Sequence, residues 1–356
     1  MPDGIDPDVL PPAIGPRSVH TTNFPALLAE SGGSVLASTY QAGKLVAIRA
    51  DGDRLNTHFR DVKGPMGLAL DGPRLAVGTP TIVWEFRDAT GLARQLDPTG
   101  RHDACFLPRV GHVTGNILVH ELAYGSAGLW VVNTRFSCLC TLDGERNFVP
   151  RWRPRFVSGL APEDRCHLNG LAMDAGRPRF VTAHGRSDDP AGWRRDKAGG
   201  GVVVDVESGE VAAHGLAMPH SPRWHGGRLW VLESGAGTLG VVDLATGRVE
   251  PVAALPGFTR GLDFAGPYAF VGLSQVRDTA VFSGIPITRR PEDRNCGVWA
   301  IDTRTGRVAA FVRFEDAVQE IFAVLALPGR LYPEILIDDD KRIGDTFDFP
   351  DPSGPI

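Results

Sequence analysis

Three of the ten histidines in this 356-residue chain head stretches of sequence that resemble one another. His120 opens HELAYGSAGLWVVN, His167 stands two residues ahead of NGLAMDAGRPRFVTA, and His220 opens HSPRWHGGRLWVLE. Neutral imidazole is the commonest side-chain ligand for zinc, copper or iron, and three histidines around an open position can activate water or polarise a substrate oxygen. A divalent metal, zinc foremost, is therefore the expected cofactor, with His120, His167 and His220 as its ligands. The chemistry that fits such a centre is a lyase or hydrolase reaction on a small anionic or peptide-like substrate. Glu121 and Glu320 lie at matching points of the pattern and are the candidate general bases. Arg260, in PGFTRGL, enters a strand where an apolar residue would be easier to bury. It needs an anion, either a substrate carboxylate or a neighbouring acid such as Glu320. Asn169 and Ser221 head their stretches and are candidate substrate contacts. The segment HGRSDDPAGWRRDKAGGG (184–201) can cap the site with Trp193 and Arg194. His112 is a lesser candidate, while His20, His184, His214 and His225 fall outside the pattern. Cys166 reads as a small buried hydrophobe.

Residues so far apart in sequence meet only if a repeated element carries each to one place. Similar stretches begin at Met66 (MGLALDGPRLAVG) and Arg260 (RGLDFAGPYAFVG), so five copies are visible. They start roughly 40–60 residues apart, the period of four-stranded propeller blades. A second signature follows several of them: DVESGEV at 205–211, DLATGRV at 243–249 and DTRTGRV at 302–308. The Asp can bond its own turn and the Gly can take positive φ, so each reads as a tight turn between two strands. RDATGLA at 87–93 is a looser copy, and Asp51-Gly52 and Asp143-Gly144 extend the series. GAGTLG at 235–240 precedes a strand and not a helix, which makes it a turn within a blade rather than a dinucleotide-binding loop. The sixth blade must be assembled from both ends, with three strands at 34–60 and a lone apolar strand, EIFAVLALPG, at 320–329. Pairing the latter inside the former closes the ring and removes two exposed sheet edges. The expectation is all-β: a six-bladed propeller over 19–337, a flexible segment 1–18, and a mobile acidic, Pro-rich tail 338–356. In a propeller the innermost strands begin beside the axial channel, which brings the heads of the repeats together.

Composition narrows the function classes. Lys and Arg number 37 against 42 Asp and Glu, a net charge of −5, so a nucleic-acid partner lacks its basic face. No run approaches the roughly 18 apolar residues of a membrane span, and the N-terminus lacks a basic start followed by an apolar stretch. A cytoplasmic location is expected. Five cysteines, an odd number with Cys138 and Cys140 too close for a comfortable bridge, fit reduced thiols.

Phrases such as TYQAGKL (39–45), FVPRWRPRF (148–156), DRCHLNGLAM (164–173), MPHSPRWHGGRLWVLESG (218–235) and PGFTRGLDF (256–264) resemble a bacterial family of conserved proteins described only as a domain of unknown function, with a predicted propeller fold. The resemblance runs from about residue 20 to 335. Its hallmark phrases, DRCHLNG and MPHSPRWH, implicate His167, Asn169, His220, Ser221 and Arg223, the last as a further substrate contact. More distantly, the N-G-L-A stretch resembles six-bladed propellers of the gluconolactonase and strictosidine-synthase-like group, and the histidine count is similar to that of the zinc-dependent peptidyl-amidoglycolate lyase domain. The former group uses mainly Glu, Asn and Asp ligands, a pattern from which these histidines depart. The competing expectation is a non-enzymatic propeller that binds a peptide or protein at its rim.

Overall fold

Short alternating runs of Val, Leu, Phe and Trp, broken every few residues by Gly, Asp or Pro, favour antiparallel hairpins in which each sheet buries both faces against its neighbours. A computed structural model describes residues 16–276, 283–290 and 294–349, and in it those hairpins form six small sheets. Their innermost strands, labelled in chain order, are β1 (Leu68–Asp71), β2 (Val119–Gly125), β3 (Leu168–Asp174), β4 (Pro219–His225), β5 (Phe258–Ala265) and β6 (Ala323–Pro328). Each packs beside the next and β6 packs beside β1, so the ring closes. β6 pairs antiparallel with Gly33–Thr39 in an unbroken register from Gly33 opposite Pro328 to Ser38 opposite Ala323. That strand, with Lys44–Asp51 and Arg54–Asp61 outside it, completes the blade assembled from both ends of the chain.

The wedges between blades hold the core. Phe24, Leu28, Ile48, Phe270 and Phe314 fill the joint between the last blade and the first. Leu75, Phe86, Val119 and Val131 fill the joint between the second and third. Two glycines show how tightly the inner strands approach. A Cβ on Gly170 of β3 would meet Pro222 of β4 at 2.3 Å, and one on Gly261 of β5, at φ +81°, would meet the Val324 nitrogen of β6 at 2.5 Å. The small residue in the N-G-L and R-G-L stretches is therefore a packing requirement of the ring. Hydroxyls at the ends of second strands tie blade to blade. Ser38 donates to the Met66 carbonyl, Thr134 to that of Leu168, and Ser274 to that of Ile321.

Three turn signatures fall where expected, between the third and fourth strands of the fourth, fifth and sixth blades. RDATGLA does not. Thr90–Ala93 is a short helix at the start of a long connection to the strand Ala104–Val113, so Gly91 ends no hairpin there. Both chain ends add edge strands: Ser18–His20 pairs with Val308–Phe314, and Pro333–Ile335 pairs in parallel with Ala104–Val113. Within the tail, Asp340–Asp345 forms a helix capped by the Asp339 side chain. Residues 1–15 of the N-terminal segment and 350–356 of the tail, both expected to be mobile, lie outside the described residues. All five cysteines are unpaired and buried. Among the described residues no helix is long and apolar enough to cross a membrane.

Candidate functional site

Two of the pore histidines are positioned by the same local device. Leu118 and Met218 adopt left-handed backbone, φ 54° and 47°. Each turns its carbonyl back onto the ring two residues later, accepting a hydrogen bond from Nδ1 of His120 and His220, respectively, at 3.1 Å. A hydroxyl fourteen residues further on, at the end of the second strand, meets the same nitrogen at 2.8 Å: Thr134 for His120 and Ser234 for His220. A carbonyl oxygen can only accept, so Nδ1 carries the hydrogen in both rings and Nε2 keeps its lone pair. His167 reaches that state differently. Its Nδ1 lies 2.9 and 3.0 Å from the two oxygens of Asp164, which can only accept when ionised.

A fourth ring completes the row. His184 follows the second strand of the fourth blade, and hairpin pairing of Leu168 with Ala183 sets it beside His167. The rings stand in file, with centroids 4.8 Å apart for His120 and His167, 4.5 Å for His167 and His184, and 4.7 Å for His184 and His220. His184 is 2 % exposed, and among the described residues neither of its ring nitrogens has a hydrogen-bond partner. Burial pushes His120, His184 and His220 well below the ordinary histidine pKa, and neighbouring rings and Arg260 add to the effect.

These rings line a cavity of about 460 Å³ at the axis. Arg260 and Glu320 close one side of it as an ion pair, Nη1 to Oε1 at 2.9 Å, and the guanidinium lies 3.6 Å over the Phe322 ring. Burial lowers the Arg260 pKa, and Glu320 and Glu121 oppose that shift. Trp193 sits in a one-turn 3-10 helix, Gly192–Arg195, within the 184–201 segment. Its ring packs against His167 at 4.5 Å and His184 at 5.0 Å, and its Nε1 donates to Asp164 at 3.0 Å. The segment covers the pore as expected, with the exposed Arg194 on the lining.

Of the residues singled out from sequence, His120, His167, His220, Arg260, Glu320 and Trp193 share this lining. The others lie elsewhere on the inner strands. Glu121 alternates with His120 along β2, so it faces away from the cavity and meets Arg223 through both oxygens, at 3.0 and 3.1 Å. Asn169 accepts from the Thr182 hydroxyl, and Ser221 accepts from the Gly261 amide, so these two join strands and blades. His112 pairs with Glu85 on an outer strand, and Cys166 is a buried thiol whose pKa burial raises to about 12. His184 was the residue sequence reasoning set aside. It heads no repeat, and only the hairpin register of VTAHG against HLNG brings it to the pore. A larger groove of about 710 Å³ along the C-terminal segment brings together no histidine.

The donor set suits a divalent ion in its chemistry: four imidazoles, three with the distal nitrogen fixed as the hydrogen-bearing one, as second-sphere partners fix metal-ligating histidines. Adjacent centroids at 4.5–4.8 Å are compatible with two rings on one ion, whose ligand nitrogens stand about 3.4 Å apart in tetrahedral geometry. The ring planes alternate between edge-on and stacked contacts. Among the described residues no group of three or more His, Cys, Asp or Glu is set to hold an ion as the side chains stand.

The fold has many solved counterparts. A chain of the nidogen/laminin complex matches with TM-score 0.55 at 10% identity, over 84% of this chain and 99% of that one. A protein of unknown function from Bacteroides caccae matches with TM-score 0.50 at 11% identity, over 83% and 99%. At such identities the likeness is one of fold. No curated protein matches the sequence. A family model covers most of the chain, residues 22–336, and on that match the protein belongs to the family described as a domain of unknown function, DUF4915.

Proposed function

We propose that the axial cavity is the active site of a metal-dependent lyase or hydrolase acting on a small anionic or peptide-like substrate. The observation that carries this reading is the state of the four rings. His120, His167 and His220 commit Nδ1 to acceptors and leave Nε2 free, while His184 is buried with both nitrogens unpartnered. A buried polar atom without a partner costs about 1–3 kcal/mol, which a ligand would offset. Imidazole donors select zinc, copper, iron or nickel over calcium and magnesium, and a bound ion would supply Lewis-acid polarisation of a substrate oxygen.

The remaining roles belong to the chain's own side chains. Phe322, Phe258 and Trp193 give the cavity apolar walls, which lower the local dielectric and strengthen charge interactions inside it. Arg260 orients the anionic group, and Glu320, the carboxylate on the lining, takes the proton as general base. Glu121 serves a supporting role, because both of its oxygens are occupied by Arg223.

Cobalt(II) titration of chelator-treated protein tests the reading, since its visible bands report nitrogen coordination. One equivalent should saturate the spectrum, and both His167→Ala and His184→Ala should weaken binding at least tenfold. Absence of a saturable band, or variants that bind as wild type does, would contradict it.

A further inference from the structure

Two arginines on the inner strands, Arg223 and Arg260, differ in how their donors are used. A guanidinium carries five N–H donors. Arg223 gives hydrogen bonds to both oxygens of Glu121 and to the carbonyls of Pro222 and Leu171, at 3.0–3.4 Å. Both of its Nη groups are engaged within the protein. Arg260 is as deeply placed, with 15% of its side chain exposed, yet among the described residues its side chain makes a single hydrogen bond, from Nη1 to Glu320. Its guanidinium carbon lies 3.6 Å over the Phe322 ring, a cation–π contact that restrains the group while its remaining N–H donors are left for a ligand. Arg260 lines the cavity and Arg223 does not.

The charges on the lining do not balance. Arg260 and Arg194 face one carboxylate, Glu320, and among the described residues Arg194 has no ion-pair partner, only its neighbour's indole at 4.9 Å. Beside the four imidazoles the wall carries the apolar side chains of Met66, Met218, Phe258 and Phe322, all under 10% exposed. A volume of about 460 Å³ falls in the range of small-molecule sites. The two-pronged edge of a guanidinium matches a planar carboxylate, which accepts two parallel N–H bonds from it, better than it matches a tetrahedral anion.

We infer that the pore takes a small organic monocarboxylate with an apolar chain or ring, its carboxylate on the uncommitted donors of Arg260 and its apolar part against Phe258, Phe322 and Met218. The inference rests on the reading of the pore as a substrate site and names the class of substrate. Calorimetric titration of the purified full chain tests it with three probes: 3-phenylpropionate, its alcohol 3-phenylpropan-1-ol, and inorganic phosphate. The acid should bind at least tenfold tighter than the alcohol, and phosphate should compete weakly. Arg260→Gln leaves Glu320 unpaired, so the Arg260→Gln/Glu320→Gln double variant is measured beside it. Both should lose the preference for acid over alcohol, and Arg194→Gln, at the exposed mouth, should weaken the acid about threefold. Equal binding of acid and alcohol, phosphate competing as strongly as the acid, or an Arg260-independent preference would overturn the inference. Repeating the titration after chelation separates it from the metal reading. Acid binding that persists and still needs Arg260 supports the carboxylate site even in a protein shown to hold no metal. Acid binding that disappears with the metal and survives Arg260→Gln assigns the carboxylate to the ion and overturns it.

Discussion

At the scale of single residues, the pore histidines owe their ring orientation to groups on their own blades. Ser234 lies fourteen residues after His220, and Thr134 fourteen after His120, each at the same place in its blade. The pair H-x13-[ST] is present in HELAYGSAGLWVVNT and HSPRWHGGRLWVLES, so the hydroxyl partner of each ring was legible in the sequence once the repeats were aligned. Ser234→Ala removes that hydroxyl while the Met218 carbonyl still accepts from the ring. Metal affinity should fall about tenfold with little change in melting temperature, as for other second-sphere substitutions. Equilibrium dialysis against the metal checks this, and unchanged affinity would mean that the hydroxyl does not help to hold the ring. His184 was not legible by the same route. Its place depends on which residue of a second strand lies opposite the head of the first, a register set by bulges between Leu168 and Gly170 and between Ala172 and Met173.

At the scale of elements, closure of the ring by β6 was legible because an apolar strand at one end of the chain and three strands at the other had no partners of their own. The pairing buries Val35, Leu36 and Ala37 against Val324, Leu325 and Ala326. Truncation after Val318 removes β6 and leaves Gly33–Thr39 as an exposed, uncharged edge seven residues long. Such an edge is a template for pairing between chains. The truncated protein should elute as aggregate in size-exclusion chromatography, and a monomer that melts as the full chain does would contradict the role given to β6. Less of the second blade could be read. RDATGLA carries the same Asp and Gly as the true hairpins, but the residues after it, with Pro98 and no alternating apolar run, send the chain into a long connection. The strand Pro333–Ile335 escaped notice because three residues paired in parallel carry no periodicity.

At the scale of the whole molecule, the C-terminal segment is fastened to the ring by its strand pairing with Ala104–Val113 and by a buried carboxylate. Glu334 is 5% exposed, with His58 Nε2 at 3.0 Å and Arg60 Nε at 2.8 Å, and the next residue, Ile335, is buried in the core beside Phe106. Burial alone would raise its pKa, but these hydrogen bonds and charges hold it at about 2, against an ordinary 4.5. A depressed carboxylate pKa contributes stability that is complete above the unfolded value and is lost as pH falls through the folded one. The loss should therefore fall between about pH 4.5 and pH 2. Over that window it amounts to roughly 3 kcal/mol. Urea unfolding at pH 6 and pH 2.5 measures it: Glu334→Gln should be the less stable protein at pH 6 and should approach wild type at pH 2.5. Equal differences at the two pH values would show that Glu334 is not the titrating anchor.

The ring, its closure and segment 184–201 bring four imidazoles to one largely apolar cavity, and the central claim is that they hold a metal there. Elemental analysis of freshly purified protein tests it most directly, with His167→Ala, His184→Ala and His225→Ala prepared in parallel. His225 stacks on Phe264 at the far end of β4 and takes no part in the pore. The account predicts about one metal ion per chain in wild type and in His225→Ala, and little or none in the two pore variants. Wild-type protein without metal, or equal metal in all four proteins, would contradict it.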